Sequence, residues 1–269
     1  MLKDITLGQF FPGNSLIHRL DPRTKLVIVV LYIAALFLAK SFVSYGLLLA
    51  FLIWCIVVSR VGAKAVLRGM KPVVFILVFT GILNLFYNHK GEVLWQWKVF
   101  QITTGGVLTA FFMVLRVMLL IAGTFLLTYT TSPIRLTDGL ESLLGPLKKL
   151  KVPVHELAMM MSIALRFIPT LIEETDKIMS AQKARGADFD TGNLMQKARA
   201  MIPLLVPLFI SSFRRADELA TAMECRCYHG GEGRTKLHQL RYGWIDTVAL
   251  GFCVILFTGV IVAARGFGL

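Results

Sequence analysis

Two arginines in this chain end the same short pattern, forty-one residues apart. In both copies an aspartate precedes the arginine by nine residues, with small and apolar residues between them. The first copy is Asp176, Ile178, Ala181 and Arg185, and the second is Asp217, Leu219, Ala222 and Arg226. Because a guanidinium pairs well with carboxylates, each arginine is suited to a carboxylate on another protein. Two copies indicate docking to a partner that is itself paired.

Each copy ends a long amphipathic segment. Apolar residues recur at intervals of three and four from Val154 onward, and again from about Leu194 to Met223, which predicts two long helices. Gly186, which follows Ala184-Arg185, is a natural residue after a helix C-terminus. The helix dipole explains one arginine at such an end, but a repeated arginine favours docking.

Prolines lie inside both predicted helices. Pro169 falls in the first, and Pro203 and Pro207 fall near the beginning of the second. Proline lacks the N–H donor and clashes with the preceding turn. We therefore expect each proline to kink its helix and to act as a hinge.

The composition is that of a membrane protein. Hydrophobic residues make up 56% of 269 positions and the mean hydropathy is +0.68, above the level of soluble domains. Apolar windows near bilayer length cover residues 26–39, 42–58, 72–87, 105–129 and 244–264. The first and third are short for a span of about 20 residues, and a buried or re-entrant first segment is the alternative. The sequence predicts an all-α membrane protein with about five transmembrane helices and a cytoplasmic domain of long amphipathic helices.

The positive charges predict the orientation. With the N-terminus in the cytoplasm, 24 of the 29 Lys and Arg residues fall on the inside, as the positive-inside rule requires. Residues 1–25 are then a cytoplasmic lead-in, 26–129 four transmembrane helices, 130–243 the cytoplasmic domain, and 244–269 the last transmembrane helix and C-terminus. We expect a multi-pass protein of the cell membrane, with its N-terminus and long helices cytoplasmic. The same asymmetry explains the net charge of +13 without a nucleic-acid partner.

A helix start precedes the first apolar window. Asp21 is suited to the N-cap and Pro22 to the first helical position. Arg23 follows as an anchor at the membrane interface. This segment predicts a cap where the first transmembrane helix begins.

Catalytic and metal patterns are missing from the sequence. No G-x-x-x-x-G-K-[ST] loop occurs, so a nucleotide site of that type is not expected. His155-Glu156 begins a zinc-protease pattern, but the second histidine is missing. Cys225, Cys227 and His229 alternate along the chain and so do not share a helix face. We expect no catalytic residue, metal or cofactor, and therefore no enzyme activity in this chain.

The whole chain resembles the transmembrane T component of energy-coupling factor (ECF) transporters. The resemblance rests on the order of three features: the lead-in at 20–26, the Ala184-Arg185-Gly186 motif, and Cys225-Arg226-Cys227. In that family the T component joins two ABC-type ATPases to a separate substrate-binding membrane subunit, the S component. The assembly imports vitamins or transition-metal ions, and the ATPases hydrolyse ATP.

The resemblance implies roles for both arginines. Arg185 and Arg226 match the arginines at the ends of coupling helices, which seat in the two ATPases. The second motif departs from Ala-Arg-Gly, because cysteines flank Arg226. That departure leaves the geometry of the second helix end open.

Two other classes of function remain at this stage. A self-contained secondary transporter or channel needs a polar pathway, and the sequence offers Arg116 and Asn84 inside the windows, without a carboxylate well inside any of them. We expect a structural role for Arg116. A membrane scaffold is the third class, and it predicts docking without ATP-linked transport.

Overall fold

The computed structural model describes residues 10–87, 93–97, 100–189, 193–230 and 239–266. Residues 1–9 of the predicted lead-in therefore lie outside the described part. The chain divides into two compact units. Residues 8–142 and 240–269 form one, which we call the membrane bundle, and residues 143–239 form the other.

The membrane bundle is predominantly helical, and its last helix, α10, comes after the second unit in the sequence. They are α1 (Leu16–Arg19), α2 (Pro22–Leu38), α3 (Phe42–Ser59), α4 (Ala63–Met70), α5 (Val74–Tyr87), β1 (Val93–Trp97), β2 (Phe100–Thr103), α6 (Thr104–Thr130), α7 (Pro133–Leu143) and α10 (Trp244–Gly266). A 3-10 turn over Lys71–Val73 joins α4 to α5. The strands β1 and β2 form an antiparallel hairpin between α5 and α6, which the sequence did not predict.

The second unit contains the two long helices. They are α8 (Val154–Ala184) and α9 (Leu194–Glu224), each 31 residues long, and a 3-10 segment over Gly145–Leu150 precedes them. These bounds confirm the two long helices predicted from the apolar periodicity. We call α8 and α9 the long-helix pair.

Helices α2, α3, α6 and α10 form the core of the bundle. The rings of Tyr32, Phe51 and Phe257 meet there, with centroids 5.5–6.3 Å apart. The Tyr32 hydroxyl donates to the Leu119 carbonyl of α6 at 3.2 Å. Gly123 makes this approach possible, because a Cβ at that position would lie 2.6 Å from the Tyr32 ring.

The start of α2 is as the sequence predicted. Asp21 is the N-cap, its carboxylate accepts from the Arg23 N–H at 2.9 Å, and Pro22 is the first helical residue. Asp21 is held in turn by α10, since its own N–H donates to the Asp246 carboxylate at 2.7 Å. The cap therefore connects the start of α2 to the start of α10.

Five helical segments in the described part of the chain are long and apolar enough to cross a membrane. They are Phe42–Ser59, Ala63–Phe86, Thr104–Thr130, Val154–Ala184 and Trp244–Arg265. This set contains α8, which we predicted outside the membrane, and not α2, which we predicted as the first span. At 17 residues, α2 is at the lower limit of about 17 for a span. The charged residues of α8 concentrate in its second half.

Candidate functional site

The two arginines stand at matched helix ends. In α8, Arg185 is the C-cap, and Gly186 follows in the left-handed conformation with φ 86°. The Gly186 N–H donates to the Lys183 carbonyl and the Ala187 N–H to the Gln182 carbonyl, both at 3.0 Å. This pair of bonds is the Schellman motif, which satisfies carbonyls at a helix end.

The end of α9 repeats these two hydrogen bonds, although α9 ends one residue earlier relative to its arginine, with Cys225 as the C-cap. Cys227 takes the place of glycine in the left-handed conformation, with φ 55°. Its N–H donates to the Glu224 carbonyl at 2.8 Å, and the Tyr228 N–H donates to the Met223 carbonyl at 3.0 Å. The Schellman hydrogen bonds are therefore kept although cysteines flank Arg226.

Both arginines are available to a partner. Arg185 and Arg226 are exposed, and so are Ala184 and Gly186 beside the first and Cys227 beside the second. In each helix the arginine directly precedes the left-handed residue. Each arginine thus lies just past the last turn of its helix, at the negative end of the helix dipole.

The long-helix pair is joined by a polar contact. The carboxylate of Glu174 on α8 accepts from the Arg215 guanidinium at 2.8 Å, and its second oxygen accepts from the Ser211 hydroxyl of α9. Glu174 and Arg215 are forty-one residues apart, so they occupy equivalent positions of the repeat. We call this contact the crossing.

The crossing is equally far from both tips. Eleven residues separate Glu174 from Arg185, and eleven separate Arg215 from Arg226. At a rise of 1.5 Å per residue each arm is about 16 Å long. This contact was not predicted from the sequence, although the repeat has an acidic and a basic residue at the same position.

The structure does not bring the aspartates of the pattern to the tips. Asp176 lies two residues after Glu174, so it is about 14 Å along the helix from Arg185. Asp217 has the same relation to Arg215 and Arg226. Both aspartates therefore belong to the neighbourhood of the crossing, and their assignment to docking stays a prediction.

The predicted hinges lie inside continuous helices. Pro169 is within α8, and Pro203 and Pro207 are within α9. Each removes one donor from the helical hydrogen-bond ladder. Their role in a motion stays a prediction.

A broad apolar face of α9 remains exposed in the structure. Its members recur at helical spacing and are Ile202, Leu205, Val206, Phe209 and Phe213. Phe213 is the most exposed of them, with 69% of its surface accessible. Patches of this kind mark interaction sites on proteins or membranes.

Arg116 has the structural role that we expected. Its Nε donates to the Tyr45 hydroxyl at 2.9 Å, and a terminal nitrogen donates to the Ala39 carbonyl at 3.1 Å. Ala39 caps the C-terminus of α2. The arginine of α6 thus stabilises the C-terminal end of α2, which is where a cation is favoured.

Metal chemistry finds no support within the described residues. There, no three His, Cys, Asp or Glu side chains lie close enough to hold a metal ion. Cys225 and Cys227 are exposed free thiols, and Cys55 and Cys253 are buried ones.

The fold and the paired arginines define a helical membrane protein with two matched amphipathic helices. Comparison with known proteins gives a more specific assignment. The model of a family described as cobalt transport protein matches residues 13–237. The chain belongs to this family, whose curated relatives are transmembrane proteins of energy-coupling factor transporters.

These relatives are similar over nearly their full lengths. The energy-coupling factor transporter transmembrane protein EcfT of Ruminiclostridium cellulolyticum is 54% identical over 97% of both chains. EcfT of Acidaminococcus fermentans is 56% identical over 92% of both chains. EcfT of Bacillus subtilis is 50% identical over 95% of this chain and 97% of its own.

Proposed function

We propose that this chain is the non-catalytic coupling subunit of an ATP-driven ECF importer. Two cytoplasmic ABC-type ATPases dock on Arg185 and Arg226, and a substrate-binding S component docks in the membrane. The observation that supports this most directly is the Schellman motif that follows the arginine at the ends of both α8 and α9. Two exposed arginines with one backbone geometry suit two ATPases with similar sockets.

The orientation and domain division belong to the same proposal. The N-terminus and the long-helix pair face the cytoplasm, residues 26–129 and 244–269 provide the transmembrane helices, and α2 is the first span. Asp21, Pro22 and Arg23 then mark its cytoplasmic boundary. The concentration of Lys and Arg in residues 130–243 supports this arrangement.

The coupling mechanism follows from the shape of the long-helix pair. ATP binding brings the ATPases together and displaces the two tips. Because the helices are joined by Glu174, Ser211 and Arg215, tip movement becomes a change of crossing angle. The hinges at Pro169, Pro203 and Pro207 pass that change to the apolar face of α9, which contacts the S component. The assembly imports vitamins or transition-metal ions that the S component selects.

The test is a pull-down of the tagged chain in mild detergent, with partners identified by mass. Wild type is compared with Arg185→Glu, Arg226→Glu and the control Arg214→Glu, which reverses an exposed arginine of α9 away from the tip. Wild type and control should recover ABC-type ATPases, and each tip variant should lose them. Equal ATPase recovery with every variant would refute docking through the arginines.

A second variant separates the two kinds of partner. Phe209→Asp places a charge on the exposed apolar face of α9 without touching either tip. It should lose the S component while keeping the ATPases. Recovery of the chain alone in every sample, with solute transport by the purified chain in liposomes, would instead favour the self-contained transporter.

A further inference from the structure

The chain leaves the membrane bundle and returns to it at two places that are far apart in the sequence. It leaves through the end of α6 and through α7, and the bundle part of this path ends at residue 142. It returns at residue 240, just before α10 begins. We call residues 130–142 the exit and residues 240–246 the return.

The exit is held against the start of α2 by two sets of contacts. The Lys25 ammonium donates to the Thr130 carbonyl at 2.9 Å and to the Thr131 hydroxyl at 3.0 Å, where α6 ends. Further along the exit, Gly139 of α7 is buried against Pro22. A Cβ on Gly139 would lie 2.9 Å from the Pro22 Cβ and 3.3 Å from the Pro22 carbonyl carbon, so the two backbones leave no room for a side chain.

The return is held by the same part of α2. One carboxylate oxygen of Asp246 accepts from the Asp21 N–H at 2.7 Å, and the other accepts from the Gly243 N–H at 2.8 Å. The Arg23 guanidinium lies over the Tyr242 ring, 5.3 Å from its centroid. The first residues of α2 therefore contact the chain on both sides of the point where α10 begins.

The charges of these contacts match the helix ends that they serve. Lys25 places a cation at the C-terminal end of α6, which is the negative end of the helix dipole. Asp246 places an anion in the first turn of α10, which is the positive end. Lys25 is 6% exposed and Asp246 is 4% exposed, and hydrogen bonds are electrostatically stronger where water is excluded. These contacts thus favour one arrangement of α6 and α10 around the start of α2.

We propose that residues 21–25, which we call the joint, pass movement of the long-helix pair to the membrane bundle. Because the exit and the return contact the same short segment, neither can be displaced alone unless contacts of the joint break. The joint belongs to α2, which packs against α6 and α10, so movement enters the bundle as a shift of α2. Lys25 and Asp246 are positioning residues, since they act through the helices that they hold. This role rests on the proposed function and adds to it the place where movement enters the bundle.

The test follows two distances in the complete complex, recovered with its ATPases, before and after addition of a non-hydrolysable ATP analogue. Spin labels on Ala184→Cys and native Cys225 report the distance between the tips. Labels on Val30→Cys of α2 and Val57→Cys of α3, at positions 62% and 69% exposed, report movement of α2 against a helix outside the exit and the return. Cys227→Gly is present throughout, and Cys225→Ser is added for the second pair. Both distances should change in the wild type.

Two variants weaken the joint contacts without changing either tip. Gly139→Ala forces α7 away from Pro22. Asp246→Asn keeps the size of the side chain but retains one acceptor oxygen for two N–H groups. In both variants the distance between the tips should still respond to the analogue, whereas the change in the α2–α3 distance should be lost.

Gly123→Ala is the matched control for the steric change. It also adds a Cβ to a buried helical glycine, 2.6 Å from the Tyr32 ring. Tyr32 lies about 10 Å along α2 from Lys25, so this variant disturbs the core of the bundle and leaves the joint intact. Both distance changes should be kept.

The outcomes separate this role from the proposed function. A change in the α2–α3 distance that persists in both joint variants would overturn the role of the joint. Absence of that change in the wild type while the tips respond would also overturn it, and so would its loss in Gly123→Ala. Failure of the proposed function gives a different result, because the wild type would then recover no ATPases or its tip distance would not respond to the analogue.

Discussion

The crossing of the long-helix pair predicts how far the two tips move when one carboxylate is lost. Glu174→Gln keeps the size of the side chain but removes the charge that binds Arg215 and accepts from Ser211. Hydrogen bonds to a charged group contribute about 1.5–3 kcal/mol, whereas exposed ion pairs contribute about 0.2–1 kcal/mol. The side chains of Arg215 and Glu174 are 34% and 22% exposed, so we expect a loss of about 1–2 kcal/mol for this crossing.

That loss should appear as a wider range of crossing angles. A free energy of about 1.4 kcal/mol is a factor of ten in the population of a competing arrangement. Positions next to the tips are about 15 Å from the crossing, so a change of about 20° in the angle shifts one of them relative to the other by about 5 Å. A displacement of this size is within reach of spin-label distance measurements.

The chain offers a convenient pair of labelling positions. Ala184 and Cys225 are equivalent in the repeat and both exposed. Spin labels on Ala184→Cys and native Cys225 report the distance between the tips, with Cys227→Gly removing the other exposed thiol. Cys55 and Cys253 are buried and stay unlabelled. Wild type should give one narrow distance distribution, and Glu174→Gln a broader one.

Two comparisons make the prediction specific to this contact. Glu173→Gln removes the neighbouring charge, from an exposed residue, and should leave the distribution narrow. Glu174→Gln, Arg215→Gln and the double variant form a double-mutant cycle. In this cycle the second substitution should add little to the free energy that the first one costs. If the distance distribution stays narrow in Glu174→Gln, the crossing does not fix the angle. The same follows if the free-energy losses of the two single variants add within about 0.5 kcal/mol in the double variant.

Two further predictions concern helix ends. Asp246 is 4% exposed and accepts from the Asp21 and Gly243 N–H groups, so Asp246→Ala should lower bundle stability by about 2–4 kcal/mol through two unpaired donors. Stability is measured by heating the protein and following the reaction of buried Cys55 and Cys253 with a thiol-reactive dye. Thr247→Ala, at the exposed neighbouring residue, is the control. An unchanged midpoint temperature in Asp246→Ala would contradict the prediction. Cys227→Gly should preserve ATPase recovery in the pull-down, whereas Cys227→Val should reduce it, because a β-branched residue is strained at φ 55°. Equal recovery with both variants would mean that the left-handed residue does not position the arginine.

The sequence predicted the helices best where one physical signal dominated. Apolar periodicity predicted the bounds of both long helices nearly residue for residue. The reason is that the apolar residues of a face that packs against another surface recur at the helical period. Asp21-Pro22 located the start of α2, since few residues satisfy an N-cap and a first helical position so well. The β1–β2 hairpin was missed because it lies between apolar windows that were assigned by length alone.

The candidate site was only partly predictable for a different reason. A glycine such as Gly186 predicts a left-handed residue after a helix. Cys227 does not, because cysteine has no preference for that conformation. The Schellman ending of α9 therefore needed the coordinates. The hydrogen bond from Asp21 to Asp246 was equally hidden, since a bond between residues more than two hundred positions apart leaves no local pattern.

The two copies of the repeat differ at the crossing but agree at the tips. Where two copies of a repeat cross, equivalent residues meet each other, so identical charges would repel. Glu174 and Arg215 avoid this because the repeat changes sign at that one position. At the tips, where we propose that separate partners dock, the repeat keeps both the arginine and its backbone turn. Equal arms of about 16 Å then give both tips the same displacement for a given change of angle. The repeat thus differs at the crossing and is the same at the tips. This combination favours a partner that docks on both tips with similar surfaces.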